Sequence, residues 1–193
     1  IGEILKAAKV DCAVAGNIGT PLISCAESPG GEETLRERTF VVELSSFQLE
    51  NIRDFKCWIA LLLNVTPDHL DLYPTLLDYA RAKERIFLNQ TRQDYAVLNA
   101  DNSISMGMTE KCKARVMLFS RRHSLPEGVC VEDGAIHIRW DARDHYLMPA
   151  TDIRLKGGHN VENVLAAAGA GFLAGVDLAS MARVFRYFAG VEH

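Results

Sequence analysis

Short apolar runs alternate along the chain with segments of helical spacing. The stretches "CAVAG" (12–16), "TFVVEL" (39–44) and "CWIALLLNV" (57–65) are almost continuous in hydrophobic side chains, the pattern of strands covered on both faces. "TPLISCAE" (20–27) and "TLLDYARAKERIFLN" (75–89) carry their apolar residues at helical intervals, and "YAVLNADN" (95–102) reads as strand, turn and helix start. From "RVMLFS" (115–120) through "GVCVEDGAIHIRW" (128–140) an antiparallel section is expected, with Asp133-Gly134 as a hairpin turn. Two helices rich in small residues close the chain, one ending near Gly175 and the other near Gly190, and "IGEILKAAKV" (1–10) reads as the last turns of a helix. The predicted fold is α/β: a mostly parallel sheet flanked by helices, with a small antiparallel β section. No repeat or low-complexity linker interrupts it.

Glu43 stands directly after Val41 and Val42 in a strand pattern. A buried carboxylate is costly unless it is paired or holds a metal, so Glu43 is expected to have a partner. Ligands in open parallel sheets bind beyond the carboxyl ends of the strands. Three such ends carry polar residues here: Gly16-Asn17-Ile18-Gly19, Glu43-Leu44-Ser45-Ser46, and Asn64-Val65-Thr66-Pro67-Asp68-His69. If these strands are parallel neighbours, all three clusters face one crevice. Each also has a plainer reading, as a tight turn before a helix capped by Thr20, as serines capping the next turn, and as a helix start favouring Asp68.

Lys83 falls on the apolar stripe Leu76, Ala80, Lys83, Phe87, at i, i+4, i+7 and i+11, while Arg81, Glu84 and Arg85 project elsewhere. Its stem packs while the ammonium escapes at the edge, or the nitrogen serves a crevice as a phosphate-attracting cation or as an amine open to modification.

Composition narrows the partners. The 193 residues are 48% hydrophobic and 24% charged, enough for a compact core, and the net charge of -4 leaves no basic stripe for nucleic acid. Anions must then be met by local devices such as metal ions and backbone amides. Cys12, Cys25, Cys57, Cys112 and Cys130 are odd in number and form no Cys-x-x-Cys pair, which speaks for a reducing cytoplasm and against a structural zinc site. No apolar run approaches the ~18 to 20 residues of a membrane span.

In order along the chain, "GNIG", "ELSSFQLE", "NVTPDHLD" with "YARAKERIF", "LNADN" and "GGHNVENVLAA" resemble the central domain of the Mur ligases, the ATP-dependent amide ligases of peptidoglycan synthesis. "ELSSFQLE" and the ending "FAGVEH" are most similar to the branch that adds D-glutamate to UDP-N-acetylmuramoyl-L-alanine. The resemblance implies that Glu43, His69 and Lys83 hold Mg2+, with Mn2+ an alternative given the imidazole, and that Lys83 carries a carbamate. It implies that Asn160 and Asn163 meet the adenine of ATP and that Asn17, Ser45 and Gln48 face the UDP-muramoyl substrate. For Asn160, capping of the last long helix is the competing reading.

One feature departs from the family. Its phosphate loop ends in Gly-Lys-Ser or Gly-Lys-Thr, and neither string occurs in this chain. The chain is therefore expected to be the central domain alone, nucleotide-hydrolase-like but without the loop, cropped before residue 1. The uridine-binding and amino-acid-binding domains are expected outside it, and the whole is expected to act as a monomer. Another Mur ligase, a folylpolyglutamate synthetase, or a binding module that kept the fold without catalysis are the alternatives.

Overall fold

The computed structural model describes residues 1–25, 38–67 and 71–190. Strands β1 (Cys12–Gly16) and β2 (Thr39–Glu43) form a parallel pair in register from Cys12↔Thr39 to Gly16↔Glu43. The larger sheet holds β3 (Ile59–Leu62), β4 (Tyr95–Asn99), β5 (Arg115–Ser120), β6 (Gly128–Glu132), β7 (Ala135–Trp140) and β8 (Arg143–Pro149), in that order. Its first four strands are parallel and its last two antiparallel. Among the described residues the helices are α1 (Gly2–Ala7), α2 (Ser46–Glu50), α3 (Leu76–Glu84), α4 (Ser103–Met108), α5 (Gly158–Leu173) and α6 (Leu178–Tyr187).

The sheet is covered on both faces, which is why its central strands are hydrophobic without alternation. In β4, Val97 points into a core built with α1, α5 and α6, whereas Ala96 and Leu98 point into a second core built with α3 and α4. Small residues set the depth of α5. A Cβ on Gly169 would lie 3.0 Å from the Met117 sulfur and 3.3 Å from Val129 Cγ2, so this helix rests almost on the backbone of the sheet.

Two expectations are corrected. "RVMLFS" was expected in the antiparallel section, yet β5 runs parallel to β4, and β6 runs parallel to β5 through Phe119↔Val129 and Ser120↔Cys130. A parallel return normally needs a long crossover. Here β6 begins beside the end of β5 and continues past it, so the short link 121–127 has little distance to recover. Ser120 Oγ turns that link by accepting the Arg122 and His123 amides at 3.1 and 2.8 Å. In the second correction, the described part of "TPLISCAE" is the 3₁₀ turn Leu22–Cys25 and not an α-helix. The Asp133-Gly134 hairpin forms as expected with both residues at positive φ. The next hairpin turns on Asp141 and Ala142, also at positive φ. It lacks a glycine, so β8 had no turn signal in the sequence. Among the described residues, no helix is long and apolar enough to cross a membrane.

The turn before β4 is held by a buried carboxylate. Asp94, 4% exposed, accepts the Thr91 amide at 2.7 Å and its hydroxyl at 2.8 Å, and the Lys56 ammonium lies 2.8 Å away. Burial pushes the Asp94 carboxyl up, but the Lys56 ammonium and the two Thr91 hydrogen bonds outweigh it and leave the carboxyl below its usual value. A depressed carboxyl stabilises the fold above its unfolded pKa, and that contribution disappears as pH falls through the folded one. Asp94→Ala is expected to lower stability by about 2 kcal/mol at neutral pH. Urea unfolding at pH 7 and again in acid checks this, because the gap between wild type and variant should close as the solution is acidified.

Candidate active site at the strand ends

Register and a glycine build the first part of the site. Gly16 has φ of +135°, and a Cβ there would lie 2.1 Å from the Glu43 carbonyl oxygen, so glycine is required where the ends of β1 and β2 meet. The Asn17 amide then donates to that same carbonyl at 2.8 Å. Asn17 and Glu43 thus sit side by side, both exposed. This corrects the premise that Glu43 is buried. The strand ends at this residue and its side chain leaves toward water, so no desolvation cost demands a partner. Its carboxylate makes no hydrogen bond or ion pair with a described residue.

Ser45 and Gln48, expected to face a substrate, bind each other. Ser45 caps α2: its Oγ accepts the Gln48 amide at 3.3 Å, while Gln48 Oε1 accepts the Ser45 amide at 2.9 Å. The Gln48 side-chain amide nitrogen makes no hydrogen bond with a described residue.

Helix α2 is tied to α3, which carries Lys83. Arg85 donates to the carbonyls of Leu49 and Ile52 at 2.9 and 2.8 Å, stapling the end of α2. On the same contact Phe47 stacks on Tyr73 at 5.7 Å between centroids, and Tyr73 meets Tyr79 at 5.3 Å. The stripe is largely as expected, with Ala80 and Phe87 buried, but Lys83 is only half-buried and its ammonium stands 5.0 Å from the centre of the Tyr79 ring. That is a cation–π contact.

The third cluster is not brought in by strand pairing. Among the described residues β3 pairs with β4 and not with β2, so the condition for all three clusters to share one crevice is not met by strand pairing. His69 and Asp68 lie outside the described residues. The backbone leading toward them is held by the "LNADN" turn, whose individual roles sequence reasoning missed. Asn99 Nδ2 donates to the Leu63 carbonyl at 2.9 Å and Asn102 Nδ2 to the Val65 carbonyl at 3.1 Å. The Asp101 carboxylate accepts Ser120 Oγ at 2.7 Å and the Arg121 amide at 2.8 Å. Two asparagines and an aspartate at a strand end were the available signal.

From β5 the network continues to α5, where Arg121 Nε donates to Glu162 at 3.2 Å. This places the first turns of α5, with Asn160 and Asn163, beside the carboxyl end of β5. Asn160 is not the cap; that position is Gly157, at φ of +106° with no side-chain hydrogen bond. Asn160 Nδ2 donates back to the Lys156 carbonyl at 2.8 Å. Asn163 is exposed, one turn further on.

A divalent cation finds part of its donor set here. Glu43 offers carboxylate oxygens that no described residue engages, the donor type that magnesium takes, whereas Lys83 as an ammonium offers none. Among the described residues no three His, Cys, Asp or Glu side chains converge on one point.

The Mur ligase middle domain family matches residues 31–171, and the chain belongs to that family. Over its whole length it is similar to proteins called UDP-N-acetylmuramoylalanine--D-glutamate ligase, at 44% identity in Koribacter versatilis (strain Ellin345) and 45% in Geotalea uraniireducens (strain Rf4). The chain spans 41% of the length of each of these curated relatives. The fold is that of solved Mur ligases. A UDP-N-acetylmuramoyl-L-alanyl-D-glutamate--2,6-diaminopimelate ligase superposes with a TM-score of 0.73 at 24% identity, covering 99% of this chain and 43% of that one. The Neisseria meningitides UDP-N-acetylmuramate:L-alanyl-gamma-D-glutamyl-meso-diaminopimelate ligase gives 0.70 at 18% identity, covering 100% and 62%.

The reciprocal cap on α2 has a measurable signature. Ser45→Ala should cost about 1 kcal/mol, and Gln48→Ala made in the Ser45→Ala background should cost clearly less than in wild type. Urea unfolding of the four proteins in this double-mutant cycle measures the coupling, and strict additivity would show that the two side chains act independently.

Proposed function

We propose that this chain is the middle part of an ATP-dependent amide ligase that joins D-glutamate to UDP-N-acetylmuramoyl-L-alanine in peptidoglycan synthesis. The observation that carries this reading is identity of 44 and 45%, spread over the whole chain, to two proteins bearing that ligase's name. In the complete enzyme the substrate carboxylate attacks the γ-phosphate of ATP, giving an acyl phosphate and ADP. The amine of D-glutamate then attacks the acyl carbon, and phosphate leaves. The nucleophiles belong to the substrates, and the protein's task is to hold them in line and to stabilise charge.

Each residue has a role in this reading. Glu43 holds Mg2+, or Mn2+, by its carboxylate, together with His69 and a Lys83 converted to a carbamate by carbon dioxide, which gives that side chain oxygen donors. When bound, the cation supplies positive charge opposite the phosphates. The exposed Glu43 carboxylate, without a hydrogen bond or ion pair to any described residue, supports the first assignment. Asn17, Ser45 and Gln48 face the UDP-muramoyl substrate. Asn163, with Asn160, reads the adenine edge, since an Asn amide can accept from N6 and donate to N7. The phosphate loop and the uridine- and amino-acid-binding domains belong to the rest of the protein, beyond the share of the relatives that this chain spans. The enzyme acts in the cytoplasm as a monomer, and its product serves cell-wall growth and thereby cell shape and division.

Experiments on the full-length protein test this. ADP release measured with D-glutamate, L-lysine, D-alanyl-D-alanine and L-alanine as competing amines should respond to D-glutamate alone; another amine would assign a different ligase. Lys83→Arg, which keeps the charge but cannot form a carbamate, should be nearly inactive, and wild-type activity should fall when carbon dioxide and bicarbonate are removed. Substantial activity of the Arg variant in depleted buffer would sink the carbamate. Asn163→Ala should raise the KM for ATP and narrow the preference over GTP by ~1 to 3 kcal/mol.

A further inference from the structure

The chain between α2 and β3, residues 51–58, forms neither helix nor strand. Its carbonyls, and one in α2, are held by side chains that follow α3. Arg85 Nε donates to the Leu49 carbonyl and Nη2 to that of Ile52. Asn89 Nδ2 donates to the Arg53 and Phe55 carbonyls at 2.6 and 2.9 Å, and Gln90 Nε2 to that of Cys57 at 3.1 Å. Of these three, Arg85 alone reaches into α2; the other two hold the linker beyond it. A helix of five residues has no stability of its own, so its direction is set by what it is fastened to. The first turn of α2 is closed by the Ser45–Gln48 box and its last by Arg85, whose positive charge suits the carbonyl end of a helix. Ser46 and Leu49 are each 3% exposed and turn inward, which leaves Gln48 on the open side.

We infer that Arg85 is a positioning residue for the sugar-nucleotide substrate: by gripping two carbonyls at the end of α2, it aims the Gln48 side-chain amide at the UDP-muramoyl group. This rests on the proposed function, in which Gln48 faces that substrate. Arginine suits the task because two N–H groups in one rigid plane, set on carbonyls three residues apart, fix both a distance and an angle. A lysine ammonium is a single point and fixes neither. Arg85 directly follows the helix that carries Lys83, so Gln48 and Lys83 take their relative placement from one anchor.

The test uses the full-length protein and UDP-N-acetylmuramoyl-L-alanine, titrated by calorimetry without ATP or divalent cation. Arg85→Lys should raise the Kd about 3- to 10-fold, the worth of one hydrogen bond to a ligand, and leave the KM for ATP unchanged. Arg85→Gln, with one donor group, serves the same comparison if the lysine variant unfolds. Asn89→Ala, which loses two bonds to the linker, should lower the urea unfolding midpoint but keep the wild-type Kd. Gln48→Glu keeps the cap on α2, because a glutamate oxygen accepts the Ser45 amide, but it has no amide to donate. It should weaken binding by itself, and Arg85→Lys should add little in that background. A wild-type Kd in the Arg85 variant, an equal loss in Asn89→Ala, or full additivity with Gln48→Glu overturns the positioning role. A wild-type Kd in Gln48→Glu instead overturns the reading of Gln48 as substrate-facing.

Discussion

Strand β4 has water on neither face. Ala96, Val97 and Leu98 are completely buried, so the polar groups where the strand ends must be satisfied by the protein itself. "LNADN" meets that demand with residues whose side chains imitate backbone. Asn99 extends the pairing with β3, Asp101 extends that with β5, and Asn102 closes the turn by capping α4. The relative placement of three strand ends depends on this one turn. Because the candidate site lies at strand ends, its geometry depends on this part-buried hydrogen-bond network.

The same economy governs the helices. α5 presents Gly169 to the sheet, against Val97, Met117 and Val129, which lowers its axis onto β4, β5 and β6 and brings its first turns to the end of β5. There Arg121 spans from the strand to Glu162 and lies so close that a Cβ on Gly158 would be 3.1 Å from the guanidinium carbon. On the other face α3 is bound to α2 by Arg85 and by the Phe47, Tyr73, Tyr79 stack, which joins the elements carrying Ser45, Gln48 and Lys83. The charged groups assigned to chemistry are the least constrained members. Glu43 is exposed and makes no ion pair with a described residue, and Lys83 leans on the Tyr79 ring.

Local pattern alone determined most of the element order, the Asp133-Gly134 hairpin and the family motifs, because alternation of burial, turn chemistry and capping depend on neighbours a few residues away. The capping box at Ser45 and Gln48 is of the same kind, legible as Ser followed three residues later by Gln. Tertiary structure alone decided the rest. Whether "RVMLFS" joins the parallel sheet depends on a ladder with β4, and whether Glu43 is buried depends on what lies beside β2, neither of which a strand's own residues encode. The hairpin at Asp141 and Ala142 stayed hidden because ordinary residues there adopt a conformation that glycine usually announces. The asparagines of "LNADN" were visible from the start, but their task was not: a side-chain amide gives no sign in sequence of which distant carbonyl it will hold. That assignment requires Leu63 and Val65, more than thirty residues earlier, to arrive within hydrogen-bond reach.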